Sequence, residues 1–240
     1  AALRGQVHGI VTGPINKEAI WKSGSPYLGH TEMLGSLTGA SRHDTMFVIR
    51  NTKSPGHQLR IFFTTRHVSL RTALDQISQN KVLSTIKEAI LAMRVFGVKE
   101  PRLGVAAVNP HGGEGGAFGD EEILHLGPAC EIARQQGFDV TGPIAADSIF
   151  HQGLSGRFDG ILSHYHDQGH IAAKTYSFDA TISVTVGLPI LRTSVDHGTA
   201  FDIAGTGKAS HETMRAAYLA AEEYSVYIEA IRNEYGVKNH

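Results

Sequence analysis

Three apolar stretches of this chain each run into a histidine. Arg60-Ile61-Phe62-Phe63-Thr64-Thr65-Arg66 ends at His67, Val105-Ala106-Ala107-Val108-Asn109-Pro110 at His111, and Gly160-Ile161-Leu162-Ser163-His164-Tyr165 at His166. Neutral imidazole is the commonest side-chain ligand of a borderline divalent metal. Three protein ligands with a fourth position open is the catalytic pattern, because substrate needs the vacancy. A single histidine at a strand end is better explained by capping a strand or satisfying a loop. Spacing alone leaves both readings of the trio open.

The trio can converge only if the strands that carry it lie parallel and finish on one edge, where open α/β sheets bind ligands. The pattern supports that arrangement. Short apolar runs at 7–12, 46–50, 59–64, 103–108, 159–163 and 181–186 predict strands. Val82, Ile86, Ile90 and Met93 recur near the helical period and predict a helix over 81–96. Helices are also expected over 120–136, stopping at Gly137, and over 211–235. Strands alternating with helices predict an α/β fold with a largely parallel sheet.

Composition removes several function classes. Lys plus Arg is 22 and Asp plus Glu is 23, so the net charge of −1 gives no general attraction to nucleic acid or an acidic membrane. No apolar run approaches the ~20 residues of a membrane span. The lone Cys130 excludes an internal disulfide and a thiolate cluster. A cytoplasmic protein is the expectation. The chain opens on Ala1-Ala2-Leu3 without Met, which raises a fragment or a processed form.

Other segments carry chemistry of their own. Asn109-Pro110-His111-Gly112-Gly113-Glu114-Gly115-Gly116 is a loop whose glycines allow close backbone approach to an anion. In Gly29-His30-Thr31-Glu32, Thr31 could cap a helix and His30 could face a substrate. Asp167, beside His166, could orient a histidine. Lys174 and Arg192 could neutralise an acidic substrate, the arginine by a bidentate fork. Gly205-Thr206-Gly207-Lys208 is followed by Ala209 and is no Walker A loop. No GxGxxG follows a strand and no GxSxG is present, so any dinucleotide must bind in another way.

Five segments in one order carry a resemblance. They are Val11-Thr12-Gly13-Pro14-Ile15-Asn16-Lys17, Gly29-His30-Thr31-Glu32, the Asn109 to Gly116 loop, Tyr165-His166-Asp167-Gln168-Gly169, and Arg192-Thr193-Ser194-Val195-Asp196-His197-Gly198-Thr199-Ala200. Together they resemble the 4-hydroxythreonine-4-phosphate dehydrogenase (PdxA) family of vitamin B6 biosynthesis. The resemblance implies a two-lobed α/β fold like that of isocitrate and isopropylmalate dehydrogenases, and a homodimer with shared active sites. It implies a divalent metal (Zn, Co, Mn, Ni or Mg) on His67, His111 and His166, and substrate contacts from His30, Thr31, Lys174 and Arg192. His197, Gly198, Thr199, Ala200 and Asp202 are similar to the adenosine-binding loop of isocitrate-type enzymes, which implies NAD or NADP. His30, Lys174, Asp147 and Asp167 are the candidates for proton transfer or for orienting metal ligands.

The family's Gly-Asp-Pro-Ala-Gly-Ile-Gly-Pro-like N-terminal motif has no counterpart here, so part of the first lobe is expected to be lacking. Residues 1–21 with 206–240 are then expected to form the rest of that lobe, and 22–205 the second. Ser183 stands where the family usually has a substrate-binding Asn, and His170 and Ala172 where it tends to have Leu and Pro. The implied reaction is NAD-linked oxidation and decarboxylation of a 4-phosphorylated 3-hydroxy acid, as in pyridoxal 5'-phosphate synthesis. The departures are more like the branch acting on 4-phospho-D-threonate or 4-phospho-D-erythronate. A metal-dependent hydrolase or lyase without NAD, and a folded chain without turnover, are the readings from other classes.

Overall fold

The computed structural model describes residues 1–27, 29–50 and 57–236. The chain begins with β1 (Gly9–Thr12), α1 (Lys17–Lys22), α2 (His30–Thr38), β2 (Asp44–Arg50) and β3 (Gln58–Phe63). Next come α3 (Leu70–Asp75), α4 (Gln79–Val95), β4 (Arg102–Ala106), α5 (Gly127–Gln135), β5 (Asp139–Ile144) and α6 (Ala146–Leu154). It ends with β6 (Gly160–Ser163), α7 (His166–Tyr176), β7 (Thr181–Val186), β8 (Leu191–Val195), α8 (Glu212–Tyr224) and α9 (Ile228–Tyr235).

Two compact units divide the chain: Ala1–Phe47 with Asp179–His240, and Val48–Phe178. These divisions lie inside the span expected for one lobe, because β7, β8 and the first residues up to Phe47 cluster with the terminal helices.

In the unit Val48–Phe178 the strands lie in the order β3-β6-β4-β5, and every neighbouring pair is parallel. Register pairs Phe63 with Ser163 and Val105 with Leu162, so β3, β6 and β4 finish on one edge. The strands are apolar on both faces because helices cover both. Ile61, Leu103, Val105, Ile161 and Leu162 are fully buried, and so are Val82, Ile86, Ile90 and Met93 along α4. The Ser78 hydroxyl caps α4 by accepting the Lys81 N–H at 3.3 Å.

In the other unit β1 and β8 are parallel while β7 and β8 are antiparallel, which makes this sheet mixed. Gly187 turns the chain between β7 and β8 with φ +86°, and a side chain there would strike the Arg42 carbonyl. Apolar Ile182, Val184 and Leu191 are buried on strands packed against α8. The Thr193 hydroxyl donates to the Ala217 carbonyl of that helix at 2.8 Å.

The expected strands are present with ends shifted by a residue or two, and β5 and β8 are additional. β5 carries Gly142 and Pro143, which dilute its strand signal, and β8 holds an arginine in a buried strand. The helix expected over 120–136 opens instead as a π turn, Glu122–Leu126, because Pro128 has no N–H for a regular α ladder. That expected over 211–235 is interrupted at Ser225–Tyr227, where the Ser225 hydroxyl donates back to the Glu222 carbonyl at 2.7 Å.

Candidate functional site

The edge where β3, β4 and β6 end is tied together by a buried polar hub. His164, just past β6, is fully buried and hydrogen-bonded at both ring nitrogens. Its Nε2–H must donate to the Ala106 carbonyl (2.7 Å), because a carbonyl can only accept. Its Nδ1 therefore accepts from the Thr64 hydroxyl (3.0 Å). Burial pushes this imidazole down to about 4, so it is neutral at physiological pH. Gln168 on α7 accepts the His164 backbone N–H (2.8 Å) and donates to the Ala107 carbonyl (2.7 Å). The Thr65 hydroxyl donates to the His164 carbonyl (2.8 Å). One imidazole and one amide thus join the ends of three strands, each of which leads to a candidate ligand.

Two of those ligands stand close together. The rings of His67 and His166 have centroids 5.8 Å apart. His166 Nδ1 lies 2.7 Å from Asp167 Oδ1, so it donates to the carboxylate and leaves Nε2 for another partner. His170, one turn on, stacks on His166 at 3.7 Å and 10°, and its Nδ1–H donates to the His166 carbonyl (2.8 Å). A cavity of about 330 Å³ is lined by Arg66, His67, Leu70, Tyr165, His166 and Asp167.

His111 lies on an exposed loop at the end of β4. Every residue from 111 to 116 has positive φ. Four are glycines, which adopt this region freely; His111 (φ 54°) and Glu114 (φ 44°) do so at a steric cost of roughly 1 kcal/mol or more each. The base of the loop is fixed by the buried Glu122 carboxylate. It accepts the N–H groups of Val108 (2.7 Å) and Asn109 (2.9 Å) and the Asn109 side-chain amide (2.9 Å). Burial opposes that charge, but these donors hold the carboxyl below its ordinary range.

The donor types of the trio suit a borderline divalent ion, yet among the described residues no three His, Cys, Asp or Glu side chains are gathered for one. Asp147 is exposed in the first turn of α6. Lys174 is half-buried on α7, with Nζ 5.5 Å from the Phe178 ring centroid.

The second cluster is in the unit that carries both chain ends. Register pairs Thr185 with Arg192, Ser183 with Ser194, and Thr12 with Ser194, so these five side chains share one sheet face. Arg192 is 6% exposed, and burial pushes its guanidinium down to about 10. Nε and Nη2 donate to the Thr12 hydroxyl (3.0 and 2.7 Å), and Nη1 to Thr185 (3.1 Å) and distantly to Thr31 (3.5 Å). Among the described residues its hydrogen-bond acceptors are hydroxyls, and Glu32 acts on it through space. His30, at the N-terminus of α2, is lowered first by burial and then by Arg192. Ser183 donates weakly to the Ser194 carbonyl (3.4 Å). His197, Gly198, Thr199, Ala200 and Asp202 lie in a largely exposed loop in which Ala200 has φ 46° and His197 Nδ1 donates to the Gly198 carbonyl (2.9 Å).

Sequence reasoning passed over His164, Gln168, Glu122, Thr185 and Ser194, and left Thr12 without a role. Two signals were available: a second histidine two residues before His166, and hydroxyls at alternate positions of Thr181-Ile182-Ser183-Val184-Thr185-Val186.

Known proteins resemble this chain over most of its length. The family model described as "Pyridoxal phosphate biosynthetic protein PdxA" matches residues 1–221. A curated relative from Cutibacterium acnes, provisionally named D-threonate 4-phosphate dehydrogenase, is 57% identical over 235 residues, covering 98% of this chain and 66% of its own length. The crystal structure of a 4-hydroxythreonine-4-phosphate dehydrogenase from Klebsiella pneumoniae is 44% identical, with a TM-score of 0.80 over 93% of this chain and 66% of that one. An isocitrate dehydrogenase from Methylococcus capsulatus, 14% identical with a TM-score of 0.51 over 92% of this chain and 70% of that one, shares the fold. The chain spans just under two thirds of the length of the curated relative. With the histidine-bearing strand ends, the glycine loop and the Arg192 strand all inside the matched residues, this α/β chain belongs to the PdxA family.

Proposed function

We propose that the chain serves the NAD-linked oxidation and decarboxylation of a 4-phosphorylated 3-hydroxy acid, with D-threonate 4-phosphate the first substrate to test. The observation that carries this is Arg192: a buried guanidinium surrounded by hydroxyls is a cation waiting for an anion. A carboxylate or phosphate would complete it. His30, whose value is lowered by burial and then by the Arg192 charge, is the proposed acceptor of the proton from a substrate hydroxyl. Thr31 borders the same guanidinium.

In the reaction C3 gives up hydride and its hydroxyl gives up a proton. The resulting β-keto acid then loses CO2, and the enolate left behind takes up a proton at C2. When bound, a nicotinamide dinucleotide would supply the hydride acceptor and a divalent ion would supply stabilisation of developing negative charge. The exposed loop from His197 to Asp202 is the proposed place for the dinucleotide. His67, His111 and His166 are the proposed metal ligands, with Asp167 orienting His166 and Asp147 a further candidate of that kind. Lys174 is a second cation for substrate. Because one chain does not gather the trio, the site is proposed to be shared in a homodimer. Exposed Leu70, Phe118, Ile123 and Leu124 belong to the same unit as the histidines and supply apolar surface for a second copy. No helix among the described residues is long and apolar enough to cross a membrane; cytoplasm is the proposed location.

Ser183 offers a buried hydroxyl where an amide is usual, which suits a 2-hydroxyl as well as a 2-amino substituent. The name of the Klebsiella enzyme keeps the amino substrate, 4-phosphohydroxythreonine, as the second reading. The test is nicotinamide reduction with a divalent ion present, on both substrates and on D-erythronate 4-phosphate. A higher kcat/KM on the hydroxy acids supports D-threonate 4-phosphate, and a higher kcat/KM on the amino acid supports the second reading. R192K should lose roughly a hundredfold in kcat/KM. No turnover of any of the three substrates would overturn the reading.

A further inference from the structure

Thr12 belongs to the Val11-Thr12-Gly13-Pro14-Ile15-Asn16-Lys17 segment, to which the proposed function assigns no role. Its hydroxyl lies at the end of β1, opposite Ser194 on β8. Three directed hydrogen bonds meet there. Thr12 Oγ1 accepts from Arg192 Nε (3.0 Å) and Nη2 (2.7 Å) and donates its one proton to Ser194 Oγ (2.9 Å). Ser194 Oγ donates in turn to the Thr12 carbonyl (3.1 Å). Every position on the Thr12 hydroxyl is filled, and the Ser194 bond fixes which way its lone pairs face.

A guanidinium carries five N–H groups in a plane and can meet an anion side-on, through Nε and Nη2, or end-on, through Nη1 and Nη2. Thr12 occupies the side-on edge. Thr185 holds Nη1 at 3.1 Å, and the Thr31 contact, at 3.5 Å, is at the limit of a hydrogen bond. The second N–H of Nη2 then lies, by the planarity of the group, on the end-on edge. We propose that Thr12 is a positioning residue that blocks the side-on edge of Arg192 and commits the guanidinium to an end-on grip on the substrate's carboxylate or phosphate, with Thr185 steadying Nη1. This rests on the reading of Arg192 as an anion-binding group. It assigns Thr12 no contact with substrate.

The test compares T12V, T12S and R192K in the full chain. The Nε–H proton of Arg192, assigned by its loss in R192K, should exchange slowly with water in the wild type. In T12V its exchange should quicken by at least about tenfold, and the dissociation constants for D-threonate 4-phosphate and inorganic phosphate should rise by about tenfold. KM should rise with them while kcat changes less. T12S, which keeps the hydroxyl, should restore both readouts. Unchanged exchange and affinity in T12V, or failure of T12S to restore them, overturns the proposal. If T12V does not fold, T185V with T185S carries the same comparison through Nη1. A lost Nε–H protection in T12V beside an R192K protein that binds D-threonate 4-phosphate as before keeps the clamp and overturns the functional reading.

Discussion

Arg192 and His30 show how one buried cation conditions its neighbour. Burial is the larger cause of the lowered His30 value, and the Arg192 charge is the second. R192M should therefore raise the His30 midpoint in an NMR titration but leave it below the ordinary imidazole value, because burial remains. The sign for stability follows. A histidine whose folded value lies below its unfolded value contributes stability that is complete above about pH 6.5 and declines as pH falls toward the folded value. A His30 midpoint at or above the ordinary value in the wild type would contradict this environment. Cys130 plays no comparable part. It is fully buried and its thiol is pushed up to about 11 by burial, so it behaves as a small apolar side chain.

Among the elements, the loop after β4 depends on Glu122. That carboxylate holds two backbone N–H groups and one side-chain amide at the point where the strand gives way to left-handed backbone. Glu122→Gln keeps the shape but not the charge, and one end of its amide offers donors to donors. It should cost about 1.5–3 kcal/mol in urea unfolding and speed hydrogen exchange at the Val108 and Asn109 amides. Stability within about 0.5 kcal/mol of wild type would mean that the loop is held by something else. The glycines of this loop were legible as a site for close approach; its left-handed course was not. Neither His111 nor Glu114 has glycine's freedom at positive φ, so the left-handed course shows only in the folded loop. The helix expected over 120–136 is present but opens with a π turn for a local reason, the missing N–H of Pro128.

For the whole molecule, the sharpest expectation concerns assembly. If the histidine trio is completed by a second copy, Zn2+ or Mn2+ should bind tightly only where ultracentrifugation shows dimer. His67→Ala, His111→Ala and His166→Ala should each weaken metal affinity by about tenfold or more. Tight metal binding by a monomer would sink the shared site. The sequence by itself determined the α/β class, the three strands that end near histidines, and the family, because hydrophobic periodicity and short ordered motifs are local properties of a chain. The strand positions to within a residue or two, and the Lys174, Arg192 and His166 segments, were likewise readable from one stretch at a time. Tertiary structure alone decided which residues act together. His164 joins Thr64 to Ala106 across neighbouring strands, and Thr12 reaches Arg192 only because β1 and β8 pair in one register. Such contacts depend on strand order and register, which residues far apart in the chain set through packing. No single window of sequence contains that information.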